Sequence, residues 1–338
     1  MSQAFDVAVL GATGLVGQTM IELLEARDFP INTLYPLASK RSAGGTVTYK
    51  GKEITVIDAD EFDWSLANFG FFSAGGSVSE KFAPIAGEAG CIVIDNTSQF
   101  RYDPDVPLVV PEVNANALAD FRSRNIIANP NCSTIQMMAA LKPIHEAVGI
   151  ARINVSTYQS VSGAGKEAME ELAKQTADLL GAREAKVNAF SRQIAFNCIP
   201  QIDVFLDNDY TKEEMKMVWE TKKIMGDDSI LVNATAVRVP VFYGHGEAIH
   251  LETHQPIDAD EVKALLANAP GVRVYEDREK YPTQVGDSSG NDLVHVGRIR
   301  NDITHPNGIN LWVVSDNIRK GAATNSIQIA ETLIRDFL

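Results

Sequence analysis

Asp6-Val-Ala-Val-Leu10-Gly11-Ala-Thr13-Gly14-Leu15-Val16-Gly17 decides the fold. Asp6 to Leu10 has the length and apolar character of a buried strand, and Leu15 to Glu25 carries apolar residues at helical spacing. The glycines between them follow the strand directly and open the helix. Their Gly-x-x-Gly-x-x-Gly spacing departs from the usual Gly-x-Gly-x-x-Gly, but small residues in that place let backbone N–H groups approach a pyrophosphate at a helix N-terminus. A tight strand-to-helix turn is the bland alternative. Ile31 to Leu37 reads as a second strand, which completes a β-α-β start. A protein that selects NAD usually carries Asp or Glu at the end of this strand; here stand Ser39-Lys40-Arg41-Ser42. That set suits a 2′-phosphate and makes NADP the expected cofactor, with a solvated basic loop as the alternative.

Further strand-like runs at 54–57, 69–73 and 91–95, with a helix-like segment at 78–89, imply a doubly wound, mainly parallel sheet. From about Asn131 the pattern changes to longer alternating strands, at 153–160, 230–239, 248–253, 293–300 and 310–315. Such strands suit a sheet with one covered and one open face. The expected architecture is α/β: an N-terminal Rossmann-like doubly wound domain and a second α+β domain. The closing helix, 320–338, is expected to return to the first, giving domains of 1–130 plus 318–338 and of 131–317.

The chain has 338 residues, 45% hydrophobic and 22% charged, which is enough for two cores. Its net charge of −14 disfavours nucleic acid and acidic lipid surfaces, so an anionic ligand must meet a local cluster of Arg and Lys. The first residues lack a basic n-region and no apolar run approaches the roughly 20 residues that span a bilayer, so a cytoplasmic protein without a membrane partner is expected. Three cysteines without metal spacing argue against a disulfide framework.

Asn129-Pro130-Asn131-Cys132-Ser133-Thr134 places one of these cysteines between a loop and a helical run, 134–147. The unpaired N–H groups and positive dipole end of a helix N-terminus favour thiolate, the form that attacks an acyl carbon. Cys91, in an apolar strand, and Cys198, in a segment with no helix start, read as structural. His250, Glu252 and His254 alternate and could share a strand face, but polar strand faces are common and no metal is assigned.

The glycine turn and the cysteine segment together resemble the aspartate-semialdehyde dehydrogenase family, and the match runs from end to end. The resemblance implies Cys132 as nucleophile toward β-aspartyl phosphate, with Asn131 helping to hold the oxyanion. Tyr158-Gln159-Ser-Val-Ser-Gly163-Ala-Gly165 resembles the second active-site segment, in which Gln159 orients the acyl group. Arg238-Val-Pro-Val-Phe-Tyr-Gly-His245-Gly resembles the third, with Arg238 for the α-carboxylate and His245 as general acid and base. Their odd separation puts them on opposite faces of an unbroken strand, so Pro240 and the glycines around His245 must break it. Asp95-Asn96-Thr-Ser-Gln-Phe-Arg101 resembles the phosphate-binding segment, with Arg101 and Asn96 on the leaving group. Glu220-Thr-Lys-Lys223 resembles the remaining segment, Glu220 for the ammonium and Lys223 for phosphate; by spacing alone it is an i,i+3 surface pair.

For the cofactor the resemblance implies Gly11, Thr13, Gly14, Leu15, Val16, Gly17, Ser39, Arg41, Ser42, Ser73, Gly75, Gly163 and Asn325. It also implies a homodimer and the reversible, NADP-dependent reduction of aspartyl phosphate to aspartate semialdehyde, through a cysteine thioester, in lysine, threonine and methionine synthesis. N-acetyl-γ-glutamyl-phosphate reductases share this chemistry, but usually carry Gly where this chain has Asn131. A short-chain reductase is excluded because no tyrosine is followed four residues later by lysine. A catalytically silent NADP-binding relative is opposed by Cys132, Gln159, Arg238 and His245 together.

Overall fold

β1 (Phe5–Leu10) and α1 (Leu15–Ala26) flank the glycine turn in the computed structural model, which describes residues 4–338. The chain divides into two units. One runs to Asn131 and resumes at Ala322, and the other is Cys132–Gly321.

In the first unit β2 (Ile31–Ala38) is followed by a hairpin, β3 (Thr46–Tyr49) and β4 (Lys52–Thr55), and by β5 (Ile57–Asp58). The expected single strand at 54–57 is therefore divided. Lys50 and Gly51 both take positive φ, 48° and 71°, the conformation of a two-residue hairpin turn, and this folds the segment back on itself. Next come β6 (Phe69–Phe72), α2 (Gly76–Glu88), β7 (Ile92–Asp95), α3 (Pro111–Asn114) and β8 (Ile126–Ala128). The sheet has the order β5-β2-β1-β6-β7-β8 with every pair parallel. Strand order reverses between β1 and β6, the place where doubly wound sheets open a crevice at their carboxyl ends. Val7, Val9, Phe69, Phe71 and Ile94 of the sheet pack in one core with Leu23 and Leu24 of α1 and Ile327, Ala330 and Leu333 of the C-terminal helix.

The second unit opens with α4 (Cys132–Val148), β9 (Ile150–Gln159), α5 (Lys166–Leu180) and α6 (Lys212–Met225). A reciprocal capping box of Thr211 and Glu214 starts α6, and Gly226 in the left-handed region ends it. β10 (Leu231–Arg238), β11 (His245–Thr253), α7 (Ala259–Ala267), β12 (Val272–Val274), β13 (Val294–Asn301) and β14 (Gly308–Ser315) follow, and α8 (Thr324–Asp336) closes the chain in the first unit. The mixed sheet has the order β10-β9-β11-β14-β13-β12. Helices α4, α6 and α7 pack on its strands, and burial alternates along β11, with Ile249 and Leu251 inside and Ala248 exposed. Two boundaries differ from expectation in a way that bears on the site. Helix α4 starts at Cys132 itself, not at Thr134, and β11 starts at His245, not at 248. Among the described residues no helix is long and apolar enough to cross a membrane.

Candidate active site

Arg238 ends β10, Gln159 ends β9 and His245 begins β11. Arg238 pairs in register with Gln159 from one side and His245 pairs with Gln159 from the other. Residues paired across adjacent strands point to the same face, so three side chains far apart in sequence form one row. The chain leaves β10, passes the end of β9 and returns on its far side. Val161 N–H donates to the Val241 carbonyl and Ser162 N–H to that of Phe242 along this crossing. Exposed Pro240, which has no N–H to offer a ladder, releases the strand as the sequence requires. The odd separation of Arg238 and His245 is thus resolved by a change of strand.

Gln159 is 1% exposed and its carboxamide is fully oriented. Its Nε2 donates to Glu213 Oε1 at 3.0 Å, and its Oε1 accepts from Thr157 Oγ1 at 2.9 Å. Arg238 donates through Nη1 to the Ser160 carbonyl at 2.8 Å. Burial holds its guanidinium below the usual range, and the neighbouring Glu213 first and Cys132 second oppose that shift only in part. Cys132, in the first turn of α4 and partly exposed, therefore stands in the field of Arg238 as well as at a helix N-terminus.

His245 is fully buried. The Ser160 N–H donates to its Nδ1 at 3.1 Å, and only a bare Nδ1 can accept that bond, so the ring hydrogen of the neutral imidazole sits on Nε2. Burial first, and the Arg238 charge second, hold this ring down at about 3 against the partial opposition of Glu213. Ser160 Oγ lies 3.2 Å from Nδ1 and donates to Asn317 Oδ1 at 3.0 Å, and Asn317 Oδ1 also accepts from Gly244 N–H at 2.9 Å. Asn317 thus ties the base of the histidine loop to the residue that orients the ring.

α6 supplies two residues that sequence reasoning missed. Glu213 bonds Gln159, and Lys216 donates to Glu213 Oε2 and to Asp203 Oδ2, both at 2.9 Å. Burial disfavours the ammonium of Lys216, but the two carboxylates outweigh it and hold the amine above its usual range. Glu220 and Lys223 have the same spacing, seven residues on, which is about 10 Å further along the helix axis. The expectation that they form this end of the site is corrected to Glu213 and Lys216. Glu213 and Lys216 share the i,i+3 pattern, which by itself does not tell one pair from the other. Gly163 lies in the turn after β9, where a Cβ would come 3.0 Å from Arg238 Nη1 and 3.4 Å from the His245 ring. In this unit it therefore borders Arg238 and His245. A Cβ on Gly321 would stand 2.8 Å from that of Cys132, so Gly321 is a further residue that the packing of Cys132 requires.

In the first unit Gly11, with φ of 88°, leaves no room beyond the Ser73 carbonyl, and a Cβ on Gly17 would fall 2.1 Å from the Gly11 oxygen. The helix therefore starts hard against the strand, with Leu15 and Val16 in its first turn. Gly14 caps it with no side-chain bond, and Thr13, Gly14 and Gly75 are exposed. Gly11 and Ala12 N–H groups both donate to the Leu37 carbonyl, which brings exposed Ser39 and Arg41, with half-buried Ser42, beside the turn. Open helix-end N–H groups beside a cationic loop fit a dinucleotide carrying a further phosphate.

Arg101, 6% exposed, donates through Nη2 to the Asn96 carbonyl at 2.9 Å. Asn96 spends its side chain on the Phe72 carbonyl and on Ser326, which makes it a brace with one amide hydrogen left for a ligand. Asn325 is buried and donates to the Val109 carbonyl and to Asn129 Oδ1, at 3.0 and 2.7 Å. Its place in the cofactor set is corrected to a brace of the segment that leads to Asn131.

Residues 141–320 match the family described as semialdehyde dehydrogenase, dimerisation domain, and residues 6–121 that described as semialdehyde dehydrogenase, NAD binding domain. An aspartate-semialdehyde dehydrogenase of Shewanella violacea is 69% identical over 337 residues, covering 100% of both proteins. The crystal structure of aspartate semialdehyde dehydrogenase II complexed with ASA from Vibrio cholerae is 63% identical, with a TM-score of 0.98 and 100% of both chains covered. The chain belongs to the aspartate-semialdehyde dehydrogenase family.

A more distant aspartate-semialdehyde dehydrogenase, with NADP, from Candida albicans is 27% identical with a TM-score of 0.78, and 98% of each chain is covered. As a member of this family the chain is an oxidoreductase with a nicotinamide-binding domain and a dimerisation domain. Neither Cys91 nor Cys198 shares the setting of Cys132. Cys91 is buried and its thiol is pushed up to about 12 by that burial, while Cys198 lies exposed in an irregular segment. Among the described residues no group of three His, Cys, Asp or Glu could hold a metal, and His250 Nε2 instead meets Asp302 Oδ2 at 2.7 Å.

Proposed function

We propose that this protein carries out the NADP-dependent, reversible reductive dephosphorylation of L-4-aspartyl phosphate to L-aspartate 4-semialdehyde, the step that feeds lysine, threonine and methionine synthesis. The row Arg238, Gln159, His245 beside the helix-end Cys132 is the observation that carries this reading.

Cys132 sulfur attacks the acyl carbon, the carbon–oxygen bond to phosphate breaks, and phosphate leaves with the bonding electrons, giving a thioester on Cys132. The reduced nicotinamide, when bound, supplies hydride to that acyl carbon. The resulting alkoxide re-forms its carbonyl and expels the thiolate, and the aldehyde departs. Gln159 and Asn131 stabilise the acyl oxygen while it bears charge. Arg238 takes the α-carboxylate, Glu213 the ammonium and Lys216 the phosphate, which gives the anionic substrate the local positive charge that an acidic protein needs. Arg101 is the other phosphate partner, and Asn96 holds the segment that carries it.

His245 is neutral in the free protein, with its hydrogen on Nε2. A phosphate dianion and a thiolate nearby favour the imidazolium, and Ser160 Oγ is placed to accept from Nδ1 when the ring takes its second proton. In that form His245 gives a proton to the departing sulfur. In the reverse direction it takes the thiol proton. Ser39, Arg41 and Ser42 supply the preference for a 2′-phosphate.

The open face of the second sheet, with exposed Ala248 on β11, Thr235 on β10 and Arg298 on β13, supports a homodimer formed by this unit. A cytoplasmic location suits a nucleophilic thiol, which a reducing compartment keeps from oxidation.

The test is spectrophotometric: NADPH absorbance is followed as the protein meets L-aspartate semialdehyde, NADP and phosphate. A rise that needs phosphate is expected, together with no turnover and retained NADP binding in Cys132→Ala. A rise without phosphate, or turnover by the alanine variant, would overturn the acyl-phosphate mechanism.

A further inference from the structure

Gln284 opens a π-helical segment, Gln284–Ser288, that precedes β13. Its carboxamide nitrogen donates to the Tyr158 carbonyl at 2.8 Å and to the Gly244 carbonyl at 2.7 Å. These two carbonyls belong to the residues immediately before Gln159 and His245. One planar NH2 group with two hydrogens therefore spans the end of β9 and the beginning of β11, and its fixed geometry sets the distance between them.

The brace is itself held on every side. Trp312 Nε1 donates to the Pro282 carbonyl at 2.9 Å, and Ser288 Oγ donates to the Gln284 carbonyl at 2.8 Å. Asp287 accepts from Thr283 N–H at 2.7 Å and from the Tyr275 hydroxyl at 3.0 Å, which closes the turn around Gln284. At the same residue, the N–H of the preceding peptide, that of Gly244, is taken by Asn317 Oδ1. Gly244 has a φ of 83°, and a Cβ there would fall 2.5 Å from Ser288 Oγ, so the segment packs directly on the residue before His245.

We infer that Gln284 is a positioning residue for the reaction at Cys132, its carboxamide fixing the spacing of the β9 and β11 ends and so the places of Gln159 and His245. The inference rests on the functional reading above. Gln284 does not touch the reacting atoms; it acts through the two residues that do. A misplacement of either by a fraction of an ångström to an ångström costs rate and leaves dinucleotide affinity alone, because the nucleotide turn lies in the other unit.

The test compares the parent with Gln284→Met, which keeps the length without donors, and Gln284→Glu, which sets acceptors against both carbonyls. The readouts are kcat and KM in the phosphate-dependent assay, NADP affinity and Tm. We expect kcat to fall about 10- to 100-fold in both variants, with Glu the worse, while NADP affinity stays within about twofold and Tm within a few degrees. Gln284→Asn, which keeps the amide one methylene short, is expected to lose less, and it carries the test if Met does not fold. Unchanged kcat in a folded variant overturns the inference, as does a loss that tracks only the unfolded fraction. An inactive parent overturns the functional reading and this inference together; an active parent with active variants overturns only this one.

Discussion

Two buried titratable side chains two residues apart on β11 behave in opposite ways. Glu247 is fully buried, neither carboxyl oxygen has a hydrogen-bond partner within bonding distance among the described residues, and the facing Gln136 side chain opposes the effect of burial only in part. Burial pushes its carboxyl well above the usual 4.5, so in the pH range between the unfolded and the raised folded value, folding takes up a proton that the unfolded chain has released. The contribution of Glu247 is therefore most favourable below about 4.5 and declines as pH rises, by up to about 1.4 kcal/mol per unit. Gln in its place needs no proton. Glu247→Gln is expected to match the parent in Tm near pH 4 and to exceed it at pH 8; a difference that fails to grow with pH would count against a neutral Glu247.

His245 has the reverse sign. With a folded value of about 3 against an ordinary 6.5, its stabilising share is complete above 6.5 and is lost as pH falls from there toward 3. In the free protein the ring is expected to remain the neutral Nε2–H tautomer from pH 8 down to 5. Imidazole ¹⁵N shifts, assigned with His245→Asn, would show it, and a titration near 6.5 would refute it. Cys132 stood out as a cysteine between a loop and a helix start, while Gln159 and Arg238 were singled out by the resemblance of their segments to those of the family. Glu213 and Lys216 were not, because a charged i,i+3 pair on an amphipathic helix has no mark to distinguish it from the next such pair.

At the scale of elements, α6 decides that question. Its capped start fixes which turn of the helix meets the end of β9, and Glu213 in the first turn is bonded to Gln159. Lys216→Met leaves Glu213 buried without its cation and is expected to raise KM for phosphate and aldehyde about tenfold or more, with a lower kcat. Lys223→Met, two turns on, is expected to change either constant less than about threefold. Equal effects in steady-state assays would restore Lys223 to the site. β10 and β11 show why strand boundaries mattered as much as residue identity. Periodicity placed the later strand at 248–253, but the ladder with Gln159 begins at His245, since pairing, not hydropathy, sets where a strand starts. The hairpin of β3 and β4 escaped notice for a related reason, because Lys50-Gly51 is a weak turn signal whose two positive φ angles appear only in the folded backbone.

Across the whole molecule, the open face of the second sheet carries the last prediction. Ala248 is a small exposed residue on a central strand of that sheet, so an arginine there adds charge and bulk to the middle of the proposed interface. Ala248→Arg is expected to sediment as a monomer with NADP binding retained. A dimer of unaltered affinity in analytical ultracentrifugation would place the interface elsewhere.

Sequence by itself determined the fold class, the glycine turn after β1, the cationic loop that follows β2 and the cysteine at a helix start. Each of these is a local pattern, in which neighbouring residues carry the whole physical message: strand period, helix period, missing Cβ, helix-end N–H groups. Tertiary structure alone decided that Arg238, Gln159 and His245 share one row, that Glu213 and Lys216 complete it, that Ser160 fixes the histidine tautomer, and that Gln284 braces two strand ends. Those facts depend on register between strands and on which helix turn meets them. Such relations are set by packing among segments far apart in the chain, and no local pattern encodes them.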